Sequence, residues 1–433
     1  MPPVYVFEDS QVERLFPLTY TRAACELRVG AHTLLKRLKQ RLAATFPVAG
    51  VLVRSELAEL MRRRLPETPV NPVLSAREGL LLVNARLLAL GGELPWTHAI
   101  PGDAQHPELP PTDTAGLAQS TIVWIHLSPA LAEQVDLSKL HIARTLETLL
   151  TQVQRKAAGG ILLQKPWDLL DHQRAAIAED FAGLGPRTDG PSLPGVHLLN
   201  PSQIHIAEGV RIWPGVVLDA QNGPIIVDEG AEIHANAVIT GPVYIGPHCM
   251  IRNLADIREE TVLGPNCRVG GEIIGSVFLG NANKQHHGFL GQSIVGEWVN
   301  LGAGTTTSNV KNTYGSVKMM SLGNDEPTGR QFLGSLIADH VKLGIGTYLS
   351  TGSVVGFASH VVIPRPPRFV PSFAWLTDKG LHRADFEKLE QIADTVMRRR
   401  HAEFTQADHE LWVRIVSEYV LTEQYPWPDQ KLG

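Results

Sequence analysis

From Val227 the chain places an aliphatic side chain at every sixth position: Ile233, Ile239, Ile245, Ile251, Ile257, Leu263 and Val269. Neither the 3.6-residue period of a helix nor the 2-residue period of an ordinary strand gives that spacing. A period of six predicts a parallel β-helix built from hexapeptide units, each one short strand and one turn. Three units close a triangular coil with one aliphatic side chain per unit pointing inward, and coils stack ~4.8 Å apart. The pattern is foreshadowed at Ile206, Ile212 and Leu218 and returns at Leu343, Leu349, Val355 and Val361. Many steps are followed by glycine, as in Ile245-Gly246, Leu263-Gly264 and Leu301-Gly302. The expected reason is a backbone conformation unfavourable for residues with a Cβ. A β-sandwich is the competing architecture, but its strands alternate with period two.

Upstream of the repeat the pattern changes. Residues 4–7, 48–53, 80–83 and 122–125 read as buried strands. Between them lie helical patterns at 26–42, 56–64, 130–134 and 144–156, with a long loop over 91–120. Strands alternating with helices predict a Rossmann-like α/β layer structure. Pro166-Trp167-Asp168 opens a further helix to about Phe181. The expected division is an α/β domain over 1–190, a solenoid over 196–364 and a helical tail over 365–433. Pro364, Pro366, Pro367 and Pro371 end the solenoid on this reading, because proline cannot donate to a ladder. The tail helices, about 383–404 and 407–422, cap or flank the last coil, whose strand edges are otherwise unpaired.

Composition narrows the class. A net charge of −5 over 433 residues, with mixed signs, gives no argument for a nucleic-acid or membrane partner. Cys25, Cys249 and Cys267 suit no metal site and read as reduced, buried fillers in a cytoplasmic protein. The N-terminus lacks a charged region followed by an apolar run, and no stretch is apolar enough to span a bilayer.

The six-residue rhythm breaks at Asn281–Phe289 and at Thr305–Lys318, and polar loops on a rigid scaffold are where binding sits. Four motifs lie in and beside these breaks: His286 to Gly291, Val299-Asn300-Leu301-Gly302-Ala303-Gly304-Thr305, Ser308-Asn309, and Phe332-Leu333-Gly334-Ser335. In order and spacing they resemble the acetyltransferase half of the bifunctional bacterial enzyme that acetylates glucosamine 1-phosphate and uridylylates the product. The N-terminal stretch Leu15-Phe16-Pro17-Leu18-Thr19, with Arg22 and Glu26-Leu27-Arg28-Val29-Gly30, resembles a divergent branch of sugar nucleotidyltransferases.

The resemblance implies a left-handed coil, acetyl-CoA as co-substrate, an amino-sugar phosphate acceptor and a homotrimer. It places His286 as the catalytic base, which the chemistry needs because an ammonium must lose a proton before it attacks a thioester. His287 is the rival. Glu272 lies within one residue of the position that orients the base. Asn300 matches a sugar-binding position. Phe289 stands where the family has a tyrosine that contacts the sugar phosphate, so Lys284 and Lys318 are the candidates to meet it. Ala303, Asn309, Ser335 and Thr351 match acetyl-CoA positions, and Val310 replaces another tyrosine.

The N-terminal half departs further from the pattern. Glu8-Asp9-Ser10-Gln11 stands where a glycine-rich loop wraps the triphosphate, and Asn84 stands where an aspartate holds Mg²⁺. Arg22, Arg28 and Arg86 remain candidates to hold phosphates of a nucleotide sugar, or else pair with Glu8, Asp9 or Glu26. Weak or absent uridylyl transfer is expected, with Mg²⁺ in question. Two other classes compete. One is a non-catalytic sugar-nucleotide sensor or scaffold. The other is zinc-dependent chemistry across a subunit interface, against which no solenoid histidines stand at an HxxxxH spacing.

Overall fold

A computed structural model of the protein describes residues 2–42, 46–91, 94, 96, 109–135, 142–188 and 193–425. The chain divides into two compact units. The first comprises the chain up to Leu15, Thr19–Leu27 and His32–Lys165; the second comprises Phe16–Leu18, Arg28–Ala31 and the chain from Pro166 onward.

The first unit is built on a six-stranded sheet. Its order is Val48–Leu52, Val4–Phe7, Leu80–Asn84, Thr121–Leu127, Thr114–Ala118, Gln154–Ala157. The first three strands are mutually parallel, and Thr121–Leu127 runs antiparallel to its two neighbours. Every residue of Val4–Phe7 and Leu80–Asn84 is buried, as expected for strands covered on both faces. The chain leaves Val4–Phe7 for one side of it and then crosses to the other. The carboxyl ends of Val4–Phe7 and Leu80–Asn84 therefore flank a switch point, the usual binding crevice of such sheets.

Three expectations need correction here. The helix expected over 26–42 begins only at Leu34, after short strands at Arg28–Val29 and His32–Thr33. The helix expected to 156 stops at Leu149, and Gln154–Ala157 becomes an edge strand on Thr114–Leu117. The loop expected over 91–120 contains the strand Thr114–Ala118; most of its earlier part lies outside the described residues.

The second unit is a parallel β-solenoid with three ladder faces. The first face has nine strands, from Ile204–Ile206 to Phe369–Val370. The second runs from Arg211–Ile212 to Ala374–Thr377. The third runs from His197–Leu199 to Phe289–Gly291, with Thr306–Thr307 and Tyr348–Leu349 continuing as a separate pair. All eight aliphatic positions from Val227 to Val269 are 0% exposed. Each such side chain contributes roughly 1.5–3 kcal/mol on burial, so the period-six stripe is the main source of the unit's stability.

The glycines after the aliphatic steps serve a purpose other than the expected one. Gly246, Gly264 and Gly302 do not adopt a positive φ. A Cβ on Gly246 would lie 2.5 Å from the Leu263 carbonyl oxygen, and one on Gly264 would lie 2.2 Å from that of Leu279. Glycine is there because the next coil's backbone comes too close for a side chain. The left-handed position falls two residues later, at His248, Asn266 and Gly304.

The prolines do not end the solenoid at 364. Phe369–Val370 pairs with Val354–Val355, and Ala374–Thr377 pairs with His360–Val361. Pro364, Pro366 and Pro367 sit in the preceding turn, where no donor is needed, and the Pro364 carbonyl accepts the Tyr348 N–H at 2.6 Å. The strand Gly380–Arg383 then folds back antiparallel on Ala374–Thr377.

The tail helices are Phe386–Arg398 and Gln406–Ser417. They flank a row of solenoid turns: Trp412 meets the rings of Phe357 and His340 at 5.0 Å each and of Phe373 at 6.0 Å. No helix among the described residues is long and apolar enough to cross a membrane.

Candidate functional site

The two rhythm breaks are different objects. At the first, the coil is shortened but stays in register: Asn283 pairs with Arg268 below and Asn300 above, and Phe289–Gly291 pairs with Glu272–Ile274. At the second, the chain leaves the coil altogether. Lys318–Ser321 and Asn324–Pro327 form an antiparallel hairpin before the solenoid resumes at Leu336.

Register places Lys284 in the inward column of the second face, after Ile233, Ile251 and Val269. It is 1% exposed. Its ammonium donates to the carbonyl oxygens of Gly270 at 3.0 Å and His286 at 2.8 Å. Burial lowers its pKa from 10.5 to about 8. Lys284 was expected to meet a substrate phosphate; instead it is turned into the core, where it ties down the turn that carries the histidines.

That turn joins the second face to the third. His286 and His287 are both exposed on it. The ring Nε2 of His287 lies 3.7 Å from the point where a Cβ on Gly304 would stand, so His287 flanks the next coil's turn. His286 makes no side-chain hydrogen bond among the described residues. Gly288 closes the turn at φ 123°, and a Cβ there would sit 2.1 Å from the Thr305 carbonyl oxygen. Glu272 points outward on the third face and accepts no hydrogen bond from the histidines among the described residues; its carboxylate accepts from Arg258 Nη1 at 3.3 Å. Phe289 is its outward neighbour one coil up.

The other expected residues fall into groups. Ala303 lies in the turn directly above His286–Gly288, and neither it nor Gly304 donates its backbone N–H among the described residues. Asn300 is exposed on the second face. Asn309, Ser335 and Thr351 gather at the opposite edge of the third face. Asn309 Nδ2 donates to Gln292 Oε1 at 2.5 Å, and its carbonyl takes the Leu333 N–H at 2.8 Å. Thr351 Oγ1 donates to the Val310 carbonyl at 3.1 Å and shares a 2.7 Å bond with Ser308 Oγ. Ser335 N–H donates to Ser293 Oγ at 3.0 Å, while its own buried hydroxyl has no hydrogen-bond partner among the described residues. Lys318 is exposed on the hairpin. Gln292 was not anticipated, and only its place in the FLGQS stretch hints at it.

In the first unit, the switch point holds a closed polar cluster. Arg86 donates to both Asp9 carboxylate oxygens, Nε to Oδ1 at 2.9 Å and Nη2 to Oδ2 at 2.5 Å. It also donates to the Leu163 carbonyl at 2.8 Å. Asn84 Nδ2 donates to Asp9 Oδ2 and to the Ile122 carbonyl, both at 2.8 Å. The Arg86 side chain is fully buried. A second knot forms around Glu8, which accepts from the Ala24 N–H at 2.9 Å and from Arg54 Nε at 3.2 Å. Arg22 is buried. Arg28 is not part of this cluster; it belongs to the second unit, donates to the Ala31 carbonyl and lies 5.8 Å over the Tyr244 ring.

This donor set does not fit Mg²⁺. The Asp9 carboxylate is engaged by a bidentate guanidinium with the Asn84 NH₂ turned toward it, and that of Glu8 is taken by the Ala24 and Arg54 donors, where a hard cation requires free oxygens. Among the described residues no group of three or more His, Cys, Asp or Glu is placed to hold a metal ion.

Residues 4–187 match the sugar nucleotidyl transferase family model. The matched segment crosses the unit boundary, since Pro166 onward packs with the solenoid. The resemblance to the bifunctional enzymes is borne out by similarity to curated proteins. Over 202 residues the chain is 31% identical to the "Bifunctional protein GlmU" of Methanococcus aeolicus, covering 46% of this chain and 42% of that one. It is 34% identical over 140 residues to the "Bifunctional sugar-1-phosphate nucleotidylyltransferase/acetyltransferase" of Sulfurisphaera tokodaii, covering 31% and 34%. It is 38% identical over 136 residues to the "Bifunctional protein GlmU" of Methanococcus vannielii, covering 31% and 33%. The chain thus spans less than half the length of these relatives.

Proposed function

We propose that the solenoid transfers an acetyl group from acetyl-CoA to the amine of an amino-sugar phosphate. The observation that carries this reading is that His286 and Ala303 fall in successive turns of the solenoid, His286 exposed and the Ala303 and Gly304 N–H groups making no hydrogen bond among the described residues. His286 takes a proton from the substrate ammonium, and the freed nitrogen attacks the thioester carbonyl carbon. The amides of Ala303 and Gly304 stabilise the oxyanion. The added nitrogen gives up its second proton to water as the C–S bond breaks, and the thiolate leaves with the proton that His286 had taken. Asn300 binds the sugar, and Asn309, Ser335 and Thr351 line the pantetheine arm.

These two groups lie at opposite edges of one face of a single chain. That separation supports a homotrimer, in which a neighbouring copy brings the acetyl-CoA edge to the histidine edge. The buried, unpaired cysteines suit a cytoplasmic setting. The test is thiol release from acetyl-CoA with glucosamine 1-phosphate, in wild type and in His286→Ala. Release from wild type that is lost in the variant is expected; equal release from both removes His286 from the mechanism.

For the first unit, the match to sugar nucleotidyl transferases supports binding of a nucleotide sugar. The Asp9–Arg86–Asn84 cluster argues for weak or absent nucleotidyl transfer. Pyrophosphate release from UTP with N-acetylglucosamine 1-phosphate and Mg²⁺ is expected to stay at background. If neither activity is found while a nucleotide sugar binds, the sensor reading takes precedence.

A further inference from the structure

The two groups expected to meet a substrate phosphate do not supply a cation beside Asn300, since Lys284 is buried and Lys318 rides on the hairpin, and Phe289, in place of the family's tyrosine, carries no hydroxyl. The second face offers another source. Its outward side chains follow rung by rung, Arg268 opposite Asn283 and Asn283 opposite Asn300, with rungs ~4.8 Å apart. Arg400, just beyond the helix Phe386–Arg398, reaches down onto this row. Its Nη1 donates to the Asn266 carbonyl and its Nη2 to Asn283 Oδ1, each at 2.8 Å.

Asn266 lies two residues before Arg268, so the Arg400 guanidinium stands over the turn that leads into Arg268. Arg268 makes no side-chain hydrogen bond or ion pair among the described residues, and Arg400 bonds to amide oxygens rather than to a carboxylate. Burial, and then the charges of Arg268 and Arg399, hold the Arg400 guanidinium below its usual range. Two guanidinium groups at neighbouring positions of one turn, neither bonded to a carboxylate among the described residues, make a site that an anion completes, and the arginine fork suits phosphate oxygens.

We propose that Arg268 and Arg400 bind the phosphate monoester of the acceptor sugar, with Asn283 and Asn300 completing the site. This rests on the acetyl-transfer reading for the identity of the ligand, and assigns the tail helices a part in substrate selection. A purely structural Arg400 would pin the tail to the solenoid and leave Arg268 without a role.

The experiment uses the full chain and the variants Arg268→Met and Arg400→Met. Calorimetric titrations with inorganic phosphate, glucosamine 1-phosphate and unphosphorylated glucosamine are set beside steady-state thiol release. Loss of one charged hydrogen-bond partner is expected to weaken glucosamine 1-phosphate binding by about tenfold or more. The KM for acetyl-CoA and the response to glucosamine stay unchanged. Arg268→Met carries the test if Arg400→Met loosens the tail. Phosphate binding that depends on Arg268, with no thiol release from wild type, supports the anion site and removes the acetyl-transfer reading. His286-dependent release with an unchanged KM for glucosamine 1-phosphate in Arg268→Met overturns the anion site alone.

Discussion

The ammonium of Lys284 donates to the carbonyl oxygen of His286 at 2.8 Å. A charged side chain in an otherwise aliphatic column is thereby linked to the turn proposed to do the chemistry. Its folded pKa of about 8 lies below the ordinary 10.5. Below about pH 8 folded and unfolded chains both hold the proton, and the penalty of burying the charge is constant. Between about pH 8 and 10.5 the unfolded chain holds a proton that the folded chain has released, so this residue makes stability rise with pH.

Lys284→Met isolates that effect. At pH 7 removing the charge recovers about 3 kcal/mol. Leaving two carbonyls without a donor costs about 1–3 kcal/mol each, so the two effects nearly offset. As pH rises to 10.5 the first term vanishes and the variant becomes the less stable protein. Urea midpoints across pH 7–10.5 check this, and parallel curves for the two proteins would remove the pKa argument. Thiol release by the variant is expected to fall, because the His286 turn loses its tie.

Removing a general base lowers rate by about 10²–10⁴. That loss is expected in kcat for His286→Ala, with assembly unchanged by sedimentation. His287→Ala is the control: a larger loss there than in His286→Ala would transfer the role to the imidazole beside Gly304.

Gly288→Ala is expected to fail structurally. The left-handed φ and the 2.1 Å approach to the Thr305 oxygen leave no room for a methyl group. Strain of this kind costs about 1–3 kcal/mol from the backbone conformation alone, and the turn must shift besides. A lower melting temperature together with lost activity is expected; wild-type behaviour in both would contradict the close packing of these turns.

In the first unit, Arg86→Met leaves the Asp9 carboxylate buried without its bidentate partner. Breaking a buried pair costs about 3–5 kcal/mol. The expected outcome is a destabilised first unit, seen in urea unfolding followed by tryptophan fluorescence, since Trp96 and Trp124 are both buried there.

The solenoid was legible because each strand commits one side chain inward, so the chain records the coil directly. The same rule misread Lys284: a polar residue at an inward step looks like a loop until register shows it in the column. The prolines after Val361 looked like a stop because sequence does not say which residues lie in turns and which must donate. The helix expected from Glu26 followed a leucine spacing that is real. There, however, the Gly30 and Ala31 N–H groups are taken by Gln173 and Asp180, 2.8 and 2.7 Å away. Tertiary partners of that kind leave no local periodic trace. The motif residues from His286 to Thr351 were found by resemblance; their separation onto two edges, and the row Arg268–Asn283–Asn300 under Arg400, required register.

The strand Gly380–Arg383, folded back on Ala374–Thr377, bears on how copies of this molecule meet. A stack of parallel coils is a template that another stack can extend, with each new coil adding to the last. The returning strand runs the wrong way to accept a further parallel coil, and residues 380–383 are mostly exposed rather than apolar and buried. Growth along the stacking direction is therefore blocked on the second face at this end, which disfavours filaments and leaves the sides of the solenoid for the homotrimer proposed above.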